Sequence, residues 1–204
     1  MITYIYGYPV YICNILEKDV ISQDVQNFKG IKETNKWNAS CLTSSEHGNG
    51  FKEEMSFASP TLKNKVLDHS KIMMNMLDVD INLNLGVSDD YWINVYKKGH
   101  SQELHWHRDI NNQAHILFSF VYFVKFDCQK DAKLIFINPA APIECKELEV
   151  LPSFSNEIPA DVTEGQLIIF PNIMLHRVEE QKTDGPRITI AGNLYEILKE
   201  EVKN

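Results

Sequence analysis

His105-Trp106-His107-Arg108-Asp109, standing directly ahead of the β-like run His115 to Phe126, is the stretch on which the reading of this chain turns. In the run, Phe118, Phe120, Tyr122 and Val124 alternate with Ser119, Val121 and Phe123, so the strand is apolar on both faces and belongs in the middle of a sheet. On a strand, side chains at i and i+2 project from one face, so His107 and Asp109 can close on a single ion. A third ligand must arrive from elsewhere. His176, 176 − 107 = 69 residues further on, closes the apolar run Leu167 to Leu175, which reads as another strand of the same core.

Two histidines and one carboxylate on one side of a metal leave coordination positions open, the arrangement of non-haem Fe(II) oxygenases. A lone His-x-Asp occurs often by chance, so the residues after His176 carry weight. Asp184-Gly185-Pro186 reads as a turn, and Arg187 comes directly after it, 187 − 176 = 11 residues beyond the histidine. 2-Oxoglutarate chelates iron through its 1-carboxylate and 2-keto oxygen and extends its other carboxylate deeper into a protein. A planar guanidinium pairs with such a carboxylate in a bidentate fork, and Thr189, on the same strand face, adds a hydroxyl. Taken alone, Arg187 is a surface residue opening an edge strand; its place after a metal-ligand candidate makes it a carboxylate clamp. His105, His107 and Asp109 occupy i, i+2 and i+4, so His105-x-His107 is itself a ligand pair for a cupin-like three-histidine site. The carboxylate set is preferred because it balances the charge of Fe(II) and gives Arg187 a purpose; His105 then contacts the ligands or the substrate. His47, His69, His100 and His115 read as surface or loop histidines.

The chain resembles the Fe(II)- and 2-oxoglutarate-dependent dioxygenases built on the double-stranded β-helix. It is most similar to the prolyl-hydroxylase-like branch and to a group of oxygenases from bacteria and phages. The resemblance is carried by Trp92 to Gly99, His105 to Asp109, Ser119 to Lys125, Gly165 to Pro171, Leu175 to Val178 and Arg187 to Asn193, in order and at matching spacing. It implies a jelly-roll barrel, Fe(II) held by His107, Asp109 and His176, and 2-oxoglutarate held by Arg187. Thr189 takes the place of a hydroxyl residue found two positions after that Arg, Asn94 and Tyr96 match positions lining the cosubstrate pocket, and Asn193 matches one near the substrate. The implied activity is a hydroxylase that couples decarboxylation of 2-oxoglutarate by O₂ to C–H oxidation. A cupin-like metal- or ligand-binding protein without turnover is the alternative.

Composition bounds the rest. The 204 residues, 44% hydrophobic and 24% charged, suit one domain spanning 1–204, with residues 1–90 as a supporting strand and helix region and 91–197 as the jelly-roll core. A net charge of −8 leaves no broad cationic surface for nucleic acid, so the expected partner is a small-molecule or peptidyl substrate. Cys13, Cys41, Cys128 and Cys145 are scattered without a Cys-x-x-Cys pair. With no membrane span and no leader pattern at Met1 to Pro9, the expected compartment is the reducing cytoplasm. Residues 1 to 16 predict an early strand, Glu17 to Phe28 a helix with Val20, Ile21, Val25 and Phe28 on its apolar side, and 35–57 a loop with one short strand. Ser59-Pro60 predicts a capped helix start, with Leu62, Val66, Ile72, Met73, Met76 and Leu77 as its buried stripe. From Tyr91 the texture is short strands and turns, the signature of a jelly roll braced by the preceding helices. Asn138 to Thr163, with four prolines, predicts a long loop over the barrel mouth.

Overall fold

The computed structural model describes residues 1–33, 40–44, 57–78, 85–87, 91–107, 115–139 and 155–197. The first residues form a hairpin in place of a single strand: β1 (Ile2–Ile5) pairs antiparallel with β2 (Tyr8–Asn14) through a turn in which Tyr6 and Gly7 have φ of 52° and 81°. Two consecutive positive φ values are the mark of a two-residue turn whose twist suits a hairpin. Helix α1 (Lys18–Asn27) buries Ile21 and Val25 and leaves Val20 51% exposed, so its apolar side is narrower than the sequence predicts.

Two short strands, β3 (Lys32–Glu33) and β4 (Leu42–Thr43), precede helix α2 (Pro60–Met76). That helix starts as its sequence dictates, with Pro60 in the first turn and the Ser59 hydroxyl accepting from the Leu62 amide. Its buried stripe is Leu62, Val66, Ser70, Met73 and Met74. Ile72 and Met76, expected inside, are 44% and 53% exposed. At 3.6 residues per turn they fall to one side of the row that Leu62, Val66 and Met73 define. His69 is no loop residue either: it sits on α2 with its Nδ1 2.9 Å from the Tyr11 hydroxyl, tying the helix to β2.

The remaining strands are β5 (Leu85–Val87), β6 (Trp92–Tyr96), β7 (Gln102–His105), β8 (His115–Lys125), β9 (Leu134–Ile137), β10 (Glu157–Pro159), β11 (Gln166–Pro171), β12 (His176–Val178) and β13 (Arg187–Glu196). Among the described residues they make two antiparallel sheets. The larger runs β1-β2-β11-β8-β13-β6-β4-β3, with β5 added on β13; the smaller runs β10-β9-β12-β7. The non-consecutive neighbours from β2 through β11, β8, β13 and β6 to β4, and from β9 through β12 to β7, are the wrapping expected of a jelly roll. Pro159, predicted to lie in a long loop, instead ends β10, an edge strand, where a missing N–H is tolerated.

Alternation along the central strands explains why they are apolar on both faces. One set of side chains, including Tyr122, Leu167, Ile169 and Ile190, packs with Ile21 of α1 and with Leu62, Val66 and Met73 of α2. The other set, including Phe123, Ile168 and Phe170, packs with Leu134, Phe136 and Val178 of the smaller sheet. The helices thus cover the outer face of the main sheet, and the site lies between the sheets. Gly192 permits a close approach on the outer side: a Cβ there would stand 2.6 Å from the Tyr91 Cβ and 2.7 Å from the Phe120 ring. Gly192→Ala is therefore expected to destabilise the fold by about 1–3 kcal/mol through overpacking, measured by urea titration. An unchanged midpoint would show that Tyr91 and Phe120 can move aside.

Candidate metal and keto-acid site

Strand pairing brings the sequence candidates together. In the β7–β12 ladder His176 lies directly opposite His105, so their side chains share a face, and the ring centroids are 4.2 Å apart. His107 lies just past the end of β7. Its backbone is clamped by Asn172, whose carbonyl accepts from the His107 amide at 3.0 Å and whose Nδ2 donates to the His107 carbonyl at 3.0 Å. The His107 ring stacks between Trp92 and His176, with centroids 5.8 and 5.2 Å away and interplanar angles of 16° and 8°. One nitrogen from each of His105, His107 and His176 lies within 4.8 Å of the others.

These rings are oriented as ligands are. His176 donates from Nδ1 to the Met174 carbonyl at 2.8 Å, leaving its Nε2 with a lone pair, and His105 donates from Nδ1 to the Glu103 carbonyl at 2.8 Å, leaving its Nε2 as the acceptor for Gln102 Nε2 at 3.5 Å. Asn193 hydrogen-bonds the His107 ring and accepts from the Ser119 hydroxyl at 3.0 Å. Burial, reinforced by the neighbouring His105, pushes the His107 pKa down to about 3, and burial with the same neighbours holds His176 well below the ordinary histidine value. Both rings are neutral at pH 7, the form that binds metal. Unfolded histidines titrate near 6.5, so between that pH and about 3 the unfolded chain binds more protons than the folded one, and lowering the pH removes stability. For His107 alone the loss from pH 6.5 to 5 is on the order of 1.5 kcal/mol, and guanidinium titrations of metal-free protein should show a shallower pH dependence in His107→Gln. An identical dependence in the variant would assign the acid sensitivity to other groups.

Arg187 occupies the other end of the same cavity. It opens β13 opposite Tyr96 of β6, and it is 1% exposed. Alternation puts Thr189 on its face, and the register sets Thr189 opposite Asn94, both buried. The guanidinium carbon lies 4.7, 5.5 and 5.7 Å from the ring centroids of Tyr96, Phe123 and Phe126. It hydrogen-bonds Tyr96, whose hydroxyl donates to Gln102 Oε1 at 2.8 Å. Gln102 Nε2 in turn stands 3.5 Å from His105 Nε2, so a polar chain links the guanidinium to the imidazole cluster. Burial draws the Arg187 pKa down, yet its nitrogens Nε and Nη1 find no acceptor among the described residues. A buried cation with two orphan donors fits a carboxylate arriving from a ligand, and the neutral imidazoles of His107 and His176 beside His105 fit a divalent metal.

His105, His107, Asn94, Tyr96, His176, Arg187 and Thr189 thus line one cavity, and Asn193 adjoins it through His107. Asp109 lies outside the described residues. Sequence reasoning does not find Gln102, Asn172, Trp92 and the Met174 carbonyl as parts of the site, since their roles depend on strand pairings that carry no local signal.

Comparison with known proteins agrees with this geometry. Residues 90–193, just over half the chain, match the model of the family described as "Putative 2OG-Fe(II) oxygenase". The chain belongs to this 2-oxoglutarate–Fe(II) oxygenase family and is an oxygenase dependent on Fe(II) and 2-oxoglutarate. A comparison with curated proteins returned no match. Among solved structures, the fold is similar to a prolyl-4-hydroxylase of Pseudomonas putida (12% identity, 93% of each chain covered, TM-score 0.55). It is similar also to HygX of Streptomyces hygroscopicus with nickel and 2-oxoglutarate bound (11% identity, 93% of this chain and 82% of that one, TM-score 0.59). A third is a Trichoplax adhaerens prolyl hydroxylase in complex with a hypoxia inducible factor peptide fragment (13% identity, 92% and 83% covered, TM-score 0.57).

Proposed function

We propose that this protein hydroxylates a C–H bond of a small-molecule or peptidyl substrate, with its metal held by His107 and His176 and the distal carboxylate of 2-oxoglutarate held by Arg187. The observation that carries the reading is the buried guanidinium, two of whose nitrogens have no acceptor among the described residues, in one cavity with the imidazole cluster. The iron and its keto acid supply the oxidising power: substrate R–H, 2-oxoglutarate and O₂ become R–OH, succinate and CO₂.

The chain's own residues position the reactants. Thr189 and Tyr96 flank the guanidinium and fix the depth to which the keto acid enters. Phe123, Phe126 and Phe170 keep water from the buried charges. The Met174 carbonyl and Asn193 bond the rings of His176 and His107, and Asn172 holds the His107 backbone. The third metal ligand in this reading is Asp109, two residues beyond His107; a second reading, favoured by the three converging imidazoles, gives that position to His105. Asn193, bonded to His107, stands on the substrate side. Exposed Leu104 and Trp106 flank His105 and offer apolar surface to a substrate.

Residues 1–204 act as one catalytic domain, in which 1–90 brace the jelly roll of 91–197. Cys13, Cys41 and Cys128 are free thiols, which suits the cytoplasm, and no described helix is long and apolar enough to cross a membrane. The test is succinate and CO₂ release from 2-oxoglutarate under Fe(II) and O₂. Slow release without substrate, lost in Arg187→Met and raised by a matching substrate, is expected; metal binding with no release under any condition would leave a binding protein.

A further inference from the structure

We infer that Gln181, which does not line the cavity, positions its keto-acid end and thereby sets the length of keto acid that the enzyme accepts. The inference rests on the oxygenase reading, with Arg187 as the carboxylate anchor, and names what holds that anchor in place. Gln181 is 0% exposed and its amide is fully engaged. The Ala132 amide donates to Oε1 at 2.7 Å, which fixes the orientation of the side chain, since a backbone N–H can only donate. Nε2 donates at 2.7 Å both to Asp131 Oδ1 and to the Thr183 hydroxyl, and it stands 3.0 Å from the Gly185 carbonyl. The backbone is engaged as well: the Gln181 N–H donates to the His100 carbonyl and its carbonyl accepts from the Gly99 amide, both at 2.8 Å.

One residue therefore ties three turns together, and each turn carries part of the Arg187 site. The turn at 99–100 follows β6, whose last residue is Tyr96. The segment after β8 begins with Phe126 and is closed by Asp131, whose Oδ2 accepts from the Asp127 amide at 2.8 Å and whose Oδ1 also accepts from the Thr183 hydroxyl at 3.1 Å. The turn at 183–185 leads straight into Arg187. Strand pairing stops at this point: the β13 ladders end at Arg187 opposite Tyr96 and at Ile188 opposite Lys125, the second with a register shift between Ile188 and Thr189. Gln181 takes over where the ladders end. It also restrains an anion, because the Asp131 charge acts on Arg187 although no ion pair joins them among the described residues. Asp131 thus compensates the buried guanidinium while Nε and Nη1 stay open to a ligand. A glutamine present only to satisfy the Ala132 amide has no need of donors aimed at the segments on either side of the anchor; a positioning residue does.

The test uses the full chain with Fe(II) and O₂ and reads CO₂ release from 2-oxoglutarate and from 2-oxoadipate, which is one methylene longer. Wild type, Gln181→Met and Thr183→Val are compared, with circular dichroism confirming the fold of each. Wild type should favour 2-oxoglutarate by roughly 10–200-fold in kcat/KM, the discrimination that one methylene carries. In Gln181→Met the KM for 2-oxoglutarate should rise about tenfold or more with kcat within about threefold, and the preference between the two acids should fall below about threefold. Thr183→Val, which removes one bond of the tie, should move both quantities in the same direction by less. Lower kcat with unchanged KM and unchanged preference in folded Gln181→Met is what a merely structural residue gives, and it overturns the inference while the oxygenase reading stands. Should Gln181→Met not fold, the same result in Thr183→Val overturns it, as does a wild type that uses both acids equally well. No CO₂ release from either acid by wild type overturns the oxygenase reading and the inference with it.

Discussion

Arg187→Met is expected to make the metal-free protein more stable while removing its hold on 2-oxoglutarate. The guanidinium is 1% exposed and two of its nitrogens have no acceptor among the described residues, so the folded state without ligand bears the desolvation of a charge that it does not pair. Each unsatisfied buried donor costs about 1–3 kcal/mol, against which stand the contacts with Tyr96, Phe123 and Phe126, worth roughly 0.5–2 kcal/mol together. Methionine keeps the length and apolar stem and drops the charge, so a net gain of about 1–2 kcal/mol is expected, or roughly 2–6 °C in Tm for a chain of this size. Binding moves the other way. Loss of one partner of a buried, hydrogen-bonded charge pair costs about 2–5 kcal/mol, which is on the order of 30-fold to several thousand-fold in Kd. Calorimetric titration with 2-oxoglutarate and a thermal melt on the same sample read both effects. A variant that is both less stable and still binds the keto acid would make Arg187 a structural residue held by its three aromatic neighbours.

That opposition between stability and binding also marks what the sequence can reveal. Arg187 and Thr189 are readable as a pair because period-two alternation fixes which residues of a strand share a face, and that periodicity is local, whereas Asn94 and Tyr96 are legible only through the family resemblance. Apolarity on both faces of β8 and β11 is readable for the same reason and implies covering layers on either side. What alternation cannot supply is which strand lies beside which. The pairing of His105 with His176, the clamp of Asn172 on His107 and the chain from Arg187 through Tyr96 and Gln102 to His105 join residues up to about 90 positions apart, and no spacing rule predicts them. The hairpin is hard to read because its turn, Tyr6-Gly7, carries one glycine where a stronger signal has Asn-Gly. Ile72 and Met76 mislead because an apolar residue on a helix is not by itself an inward one; Ser70, polar and buried through its bond to the Leu67 carbonyl, takes the place in the stripe.

His176→Ala isolates the metal's contribution to the fold from the chemistry it performs. A ligand that binds only the folded state stabilises it by RT ln(1 + [L]/Kd), about 2.7 kcal/mol at a hundredfold excess over Kd, and roughly 5–10 °C in Tm here. Wild type should show that shift on adding Ni(II), chosen as a redox-inert stand-in for Fe(II), and a further shift when 2-oxoglutarate is added. His176 lies at the centre of this coupling: it is 3% exposed, its ring stacks against His107, lies 5.1 Å from the Phe170 ring and donates to the Met174 carbonyl. Removal of the ring takes away one donor and lets His107 lose its stacking partner, so the metal-induced shift should vanish and succinate release should fall to background. Without metal the variant loses packing against Phe136 and Phe170 but also sheds a desolvated imidazole, so its stability at pH 5 should fall short of wild type by less than at pH 7. The pH comparison separates the two roles: a deficit that is the same at both pH values would mean that the buried ring is ordinary core, and a Ni(II) shift that survives in His176→Ala would remove this residue from the metal centre altogether.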